Sequence, residues 1–342
     1  MTATSGTLRA TRRSLGPAAS IGIRLGVIIV ALAVALAFLG PTQFLNALTL
    51  GAIYALVALG YTMVYGIIEL INFAHGDVFM VGGFVSLTLL VNLFGASGAI
   101  TEPVSLAITL IAVFVVAMAA MGLVGVIIER LAYRPLRNAP RLAPLLTAIG
   151  VSFILQNIIQ LIYGPFQISV PQIFPTNAFV EIGGVRVALL AIFIVIVALT
   201  LMIGLELFVG RTRLGRAMRS TAANREAAAL MGVNINRTIA VTFFIGSALA
   251  GAAGVIFGLY YGVAQFQLGF FAGLKAFTAA VLGGIGNTTG AALGGFIIGF
   301  IEVGASSVGL ARWGPAVVFG VLVIVLVFRP TGLLGQQLGE RA

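Results

Sequence analysis

Apolar runs close to the length of a bilayer crossing recur along the whole of this chain. About 20 such residues carry a helix through the hydrocarbon core. The runs fall at about 21–39, 43–66, 78–95, 103–128, 143–163, 187–209, 238–261, 272–286, 290–308 and 315–328. In lipid every backbone N–H and C=O needs an internal partner, so segments of this length read as helices. Charge agrees: 8% of the residues are Asp, Glu, Lys or Arg, where a soluble domain has roughly a quarter. The expected fold class is all-α, a polytopic membrane helix bundle with about ten transmembrane helices. The third, eighth and last runs are short or contain glycine, so nine or eight spans stay open.

The net charge of +10 sorts by topology rather than forming a nucleic-acid surface. With the N-terminus inside, sixteen basic residues fall on one side. They are Arg9, Arg12, Arg13 and Arg24; Arg130, Arg134, Arg137 and Arg141; Arg211, Arg213, Arg216, Arg219, Arg225 and Arg237; and Arg329 and Arg341. Arg186 and Arg312 fall on the other side, and Lys275 lies in or beside a span. This asymmetry is the positive-inside pattern; it places both termini in the cytoplasm and excludes DNA or RNA as the partner. The chain is organised as one membrane domain over 21–330. A Ser/Thr/Arg/Gly-rich tail at 1–20, expected to be disordered, precedes it, and a cytoplasmic C-terminal tail at 331–342 follows it. There is no cysteine and one histidine, which removes disulfides, thiolate nucleophiles, two-His zinc sites and any evident cofactor chemistry.

The longest interruption on the basic side, 210–237, holds a helix signal. In Asn224-Arg225-Glu226-Ala227-Ala228-Ala229-Leu230-Met231-Gly232, Asn224 suits the N-cap, Glu226 the positive first turn, and Gly232 a left-handed C-terminal position. A helix of about seven residues is too short to stand alone in water, so it reads as a docking element held by a partner. On the other side, 164–186 is the longest loop. Within it Val180 to Val187 predicts a hairpin around Gly183-Gly184, either a connector or a contact surface for an extracytoplasmic partner.

Ionisable groups within apolar spans cost roughly 2.5–3.5 kcal/mol each at mid-membrane, so their positions carry information. Glu69-Leu70-Ile71-Asn72-Phe73-Ala74-His75-Gly76-Asp77 concentrates four polar or charged side chains. It reads either as non-helical backbone lining a route or as a cytoplasmic turn. In the second case Asp77 caps the helix that follows, and this is the favoured reading for Asp77. Lys275, the sole lysine, is expected to snorkel near the outer interface, with pairing to a core acid as the alternative. Glu302 and Glu206 read as interfacial. A loose duplication is also visible. A Gly/Ala-rich span at 49–66 precedes the broken segment 69–83, and a second at 242–262 precedes the broken segment 266–286. Paired interrupted spans point to a transport route between repeats. No Gly-x4-Gly-Lys-Ser/Thr occurs, since Ala276 follows Lys275. The chain therefore has no nucleotide site of that kind, and ATP-driven transport would need an engine on another polypeptide.

Thr49-Leu50-Gly51-Ala52-Ile53-Tyr54-Ala55-Leu56-Val57-Ala58-Leu59-Gly60-Tyr61-Thr62-Met63-Val64-Tyr65-Gly66, then Ile71 to Asp77, and Lys275-Ala276-Phe277-Thr278-Ala279-Ala280-Val281-Leu282-Gly283-Gly284-Ile285-Gly286, resemble the permease subunits of branched-chain amino acid ABC importers (LivH type). Glu226-Ala227-Ala228-x3-Gly232 is similar to the first part of the EAA loop by which such permeases engage their ATPases; the later Ile-x-Leu-Pro portion is absent. The resemblance covers about 41–335. It implies a bundle with a pseudo-twofold repeat in a bacterial inner membrane. It also implies a heterodimer with a second related permease, two cytoplasmic ABC ATPases and an extracytoplasmic substrate-binding protein. ATPase coupling is then expected at Arg219, Asn224, Glu226, Ala227, Ala228 and Gly232. The translocation pathway is expected at Tyr61, Glu69, Asn72, His75, Asp77 and Lys275. A permease for urea or short amides is the nearest alternative, and a self-sufficient secondary transporter is the alternative of a different class.

Overall fold

The computed structural model describes residues 17–335 apart from Asn138, Arg141, Thr176, Asn177 and Gly183. Of the two tails, 1–16 and 336–342 lie outside the described residues, as do Arg9, Arg12, Arg13, Arg141 and Arg341. The helices run α1 (Pro17–Ile68), α2 (His75–Thr88), α3 (Pro103–Ile128), α4 (Leu142–Tyr163), α5 (Leu189–Arg211), α6 (Arg213–Ala223), α7 (Arg225–Leu230), α8 (Ile235–Tyr261), α9 (Leu268–Gly283), α10 (Thr288–Ser307) and α11 (Gly314–Phe328). Among the described residues eight helical stretches are long and apolar enough to cross a membrane, and α9 is a shorter apolar helix. The chain is a multi-pass helical membrane protein. α1 covers two of the expected runs. Gly40 has φ 73° and ψ 165° and divides it into 17–39 and 41–68. Glycine takes that backbone region without a Cβ penalty, and Pro41 then opens the second piece, where a missing N–H costs nothing.

Strands are few and short among the described residues. β1 (Ile168–Ser169) pairs antiparallel with β4 (Val263–Ala264), tying the loop after α4 to the end of α8. β2 (Phe179–Ile182) and β3 (Val185–Ala188) form the hairpin that the sequence predicts, with Val180 opposite Val187.

Close packing rests on small residues, as it must where lipid offers no hydrophobic drive for helix association. α1 lies antiparallel on α10: a Cβ on Gly51 would sit 2.8 Å from Phe296 Cα, and one on Gly299 would sit 2.5 Å from Gly51 Cα. α3 lies antiparallel on α8, where a Cβ on Gly251 would sit 2.9 Å from Met121 Cβ. α2 runs alongside α8 through Gly82 and Gly251, and α9 runs alongside α1 through Gly273 and Tyr61. The two sets correspond under exchange of α1 with α8, α2 with α9, and α3 with α10. That exchange is the pseudo-twofold relation behind the duplication seen in the sequence. In each half a long helix is followed by a non-helical stretch, 69–74 or 262–267, and then by a shorter helix. The two shorter helices cross near their N-terminal ends, at Gly76 with Gly269 and Gly273.

Candidate functional site

The arginine-rich end is built from the loop that joins α5 to α8. It holds two helices where the sequence reading predicts one. α6 is amphipathic: Gly215, Met218 and Thr221 face inward while Arg213, Arg216 and Arg219 face out. Thr212 caps it by accepting from the Gly215 N–H at 3.0 Å. Arg219 donates to the Val209 carbonyl and so clasps α6 back on the end of α5. α7 forms as its residues dictate. The Asn224 side chain accepts from the Ala227 N–H at 3.0 Å, Glu226 stands in the first turn, and Gly232 takes φ 83° after the last turn. Ala228 is buried, whereas Glu226, Ala227, Leu230 and Met231 are exposed, the last two by 89% and 84%.

Sequence reasoning missed a contact that joins α7 to the membrane helices. The Arg225 guanidinium donates to the Ile67 carbonyl at 2.9 Å, one of the last carbonyls of α1, which have no helical partner of their own. Two residues on, Glu69 has φ 57°, and its N–H closes on the Tyr65 carbonyl at 2.8 Å. A left-handed residue other than glycine costs roughly 1–2 kcal/mol and is worth attention as a functional feature. A cavity of about 540 Å³ opens here, lined among others by Glu69, Arg137, Asn224, Arg225 and Glu226. The fold thus brings together three expected residues, Glu69, Asn224 and Glu226, from the two motifs. Beside the cavity, Glu129 is fully buried and paired with Arg134 at 2.8 Å and with Arg137. Arg137 also donates to Asn236 at 2.5 Å, at the start of α8. Burial lowers the Arg137 guanidinium from its ordinary value against the pull of Glu129, and the hydrogen bond to Glu129 raises that of Arg134.

From Glu69 the backbone turns back into the bundle rather than crossing its surface. The Tyr133 hydroxyl donates to the Ile71 carbonyl and to Asn72 Oδ1, each at 3.2 Å. His75 packs against Gly60, eight residues before the end of α1, which is about 12 Å along the helix at 1.5 Å per residue. Its imidazole is closed in by the Tyr61 ring, edge-on at 4.7 Å. Among the described residues neither ring nitrogen has a partner of hydrogen-bonding geometry, although the Val57 carbonyl lies beside the ring.

Asp77 takes the helix-start position that the turn-and-cap reading gives it, but not in a solvated turn. It stands in the first turn of α2 and is fully buried. It accepts from the Ser152 hydroxyl and, at 3.0 Å, from the Gln156 amide. Both donors lie mid-way along α4. The carboxylate can be interior because two side-chain donors and the positive end of α2 meet it there. Ser152 and Gln156 stand at i and i+4 and so share one face of α4.

Lys275 takes the second of its two readings, pairing with an acid. It does not snorkel: its Nζ pairs with Glu302 Oε1 at 2.5 Å, and Glu302 Oε2 accepts from the Tyr54 hydroxyl at 2.8 Å. Glu302 is therefore held in a polar cluster with Lys275 and Tyr54. The acid is supplied by α10, 27 residues away, where no local pattern announces it. Glu206 accepts from the Thr288 hydroxyl at 2.6 Å on an exposed face. Lys275 thus stands apart from Tyr61, Asn72, His75 and Asp77, which cluster inside the chain where α1, α2 and α9 meet.

Comparison with known proteins follows the same lines. The family described as branched-chain amino acid transport system / permease component matches residues 43–326. The high-affinity branched-chain amino acid transport system permease protein BraD of Pseudomonas aeruginosa is 45% identical over 302 residues, 87% of this chain and 97% of that protein. LivH of Escherichia coli K12, named as a permease of the same kind of system, is 43% identical over 302 residues, 87% of this chain and 96% of its own length. A probable LivH of Methanocaldococcus jannaschii is 32% identical over 208 residues, 58% of this chain and 60% of that protein. No solved structure matches the chain. The described fold, the continuous match and the extended relatives together make this chain a member of the family of permease components of branched-chain amino acid transport systems.

Proposed function

We propose that the chain is the membrane-spanning permease subunit of an ABC importer for branched-chain amino acids, working in a bacterial inner membrane with both termini in the cytoplasm. Transport systems of this family use separate ATPase and binding-protein components. Here a second, related permease completes the pathway, two ATPases seat against the 210–237 loop, and a binding protein delivers cargo at the opposite end, where the β2–β3 hairpin lies. The contact from Arg225 to the Ile67 carbonyl carries this reading. It joins a capped helix, bearing exposed Leu230 and Met231, to the end of a spanning helix. Two large apolar side chains exposed side by side on a charged loop favour a protein partner.

In mechanism, ATP binding draws the two ATPases together and shifts α7. Arg225 passes the shift to the end of α1, next to Glu69. The non-helical 69–74 stretch then carries it to the start of α2, where Asp77 meets α4 and Gly76 meets α9. Movement at that crossing switches the route, which runs past Tyr61, Asn72 and His75, between outward and inward access. The names of the relatives support the cargo class. Removal of 224–232 tests the reading: the shortened chain should reach the membrane and lose all ATP hydrolysis stimulated by the loaded binding protein. Unchanged stimulation would refute the assignment of α7.

A further inference from the structure

The ion pair between Lys275 and Glu302 has no part in the force path described above. Its side chains keep 15% and 19% of their surface accessible. Glu302 stands on α10, a helix long and apolar enough to cross a membrane, and Lys275 on the shorter apolar helix α9; charges packed between apolar helices are not turned to lipid, where each costs several kcal/mol. The pair faces a cavity or a polar partner. Nor is it an economical packing device, since well-packed apolar residues commonly replace a buried ion pair at no cost in stability.

Both partners also keep unused hydrogen-bonding capacity. The ammonium has three donors, and one of them reaches Glu302 Oε1. Each carboxylate oxygen offers two acceptor positions, and the hydrogen bonds described take one on each, from Lys275 and from Tyr54. The Tyr54 ring lies under the ammonium, with its centroid 5.9 Å away, which steadies the cation without consuming a donor. One turn earlier on α9, Phe270 and Phe271 are 45% and 62% exposed, and Tyr261 at the end of α8 is 44% exposed. Tyr261 lies close enough to Glu302 to feel its charge, so an exposed aromatic ring adjoins the pair.

We propose that Lys275 and Glu302, with the Tyr54 hydroxyl, form a way station that receives the α-carboxylate and α-ammonium of a neutral amino acid as it crosses. The ammonium of Lys275 takes the carboxylate, Glu302 takes the amino group, and the exposed aromatic ring takes the aliphatic side chain. The proposal rests on the importer reading and adds to it the residues that select the cargo. A zwitterion enters a neutral pair and leaves the site neutral. A cation or an anion would leave one net charge within the membrane, and an uncharged amide would leave the pair unanswered. The station therefore discriminates by charge pattern.

The test uses the whole transporter, with the partner permease, the ATPases and the binding protein, reconstituted in vesicles and supplied with L-leucine, L-isoleucine or L-valine. Lys275→Met, Glu302→Leu and the double variant are compared for uptake and for co-purification with the other subunits. The expected result is a loss of at least tenfold for all three, with co-purification unchanged and no recovery in the double variant. Recovery of the double variant to within twofold of the parent marks the pair as structural and overturns the proposal. So does failure of the double variant to co-purify. A parent complex that takes up none of the three amino acids instead overturns the importer reading, and that result is seen before any variant is made.

Discussion

Arg225→Ala is the most direct probe of how α7 is joined to the membrane helices. The substitution removes a guanidinium donating at 2.9 Å to the Ile67 carbonyl and leaves the α7 cap untouched, because Asn224 makes that bond. A hydrogen bond from a charged donor contributes about 1.5–3 kcal/mol net. Arg225 is half-buried, so water screens part of this and about 1–2 kcal/mol is the better figure. At tenfold per 1.4 kcal/mol, that is a roughly 5- to 30-fold loss of coupling if α1 follows α7 through this bond. The assay is leucine moved per ATP hydrolysed in vesicles holding the complete transporter. The expected variant assembles and hydrolyses ATP, yet moves 5- to 30-fold less leucine per ATP on that estimate. Arg225→Lys should keep part of the coupling, since an ammonium reaches the carbonyl without the planar fork. An unchanged ratio in Arg225→Ala would show that force enters elsewhere and would refute the path through Ile67.

Two further substitutions test the interior. Asp77→Ala leaves the buried Ser152 hydroxyl without its acceptor and the Gln156 amide with Ser152 Oγ at 3.3 Å in place of the carboxylate, at about 1–3 kcal/mol for a buried unsatisfied group; the detergent-solubilised protein should melt several degrees lower, and Asp77→Asn, which keeps one acceptor oxygen, should lose less. Equal melting of all three proteins would remove Asp77 from the polar link to α4. Gly273→Ala places a methyl 2.7 Å from Gly76 Cα and 3.1 Å from the Tyr61 hydroxyl, where carbon atoms settle at about 3.5–4.0 Å. Overpacking of this kind costs about 1–3 kcal/mol, so both melting temperature and uptake should fall, and a variant with parental values of both would contradict the close crossing of α2 and α9.

The features legible in the sequence are those set by neighbours along the chain. The apolar runs locate the long helices to within a few residues, and Asn224, Glu226 and Gly232 define α7 because capping is a local contest for unpaired N–H and C=O groups. Gly183-Gly184 marks the hairpin for the same reason. α6 escapes because Arg213, Arg216 and Arg219 read as loop charge, although their spacing of three leaves Gly215 and Met218 on a common opposite face. The partners of Asp77 and Lys275 escape for a different reason. The donors to Asp77 stand 75 and 79 residues away, and the acid opposite Lys275 stands on another helix. A carboxylate beside a helix start looks capped and solvated until its distant partners are known, and a lone lysine looks interfacial until its acid is known.

The two interruptions do different work even though the halves repeat. The 262–267 stretch is pinned by β4, which pairs with β1 in the long loop after α4, so the start of α9 is braced at its end of the bundle. The 69–74 stretch has no strand partner among the described residues. It is held by the Tyr133 hydroxyl at Ile71 and Asn72, by the His75 N–H donating to the Asn72 carbonyl at 3.0 Å, and by Glu69 in its left-handed turn. A displacement at the end of α1 would be passed to α2 along this stretch, and the glycine crossing with α9 would take it up as sliding of one backbone on another. Side chains at that point would have to change rotamer to allow such a slide. Gly76, Gly269 and Gly273 have none to change, so the crossing can serve as a bearing between a braced helix and a driven one.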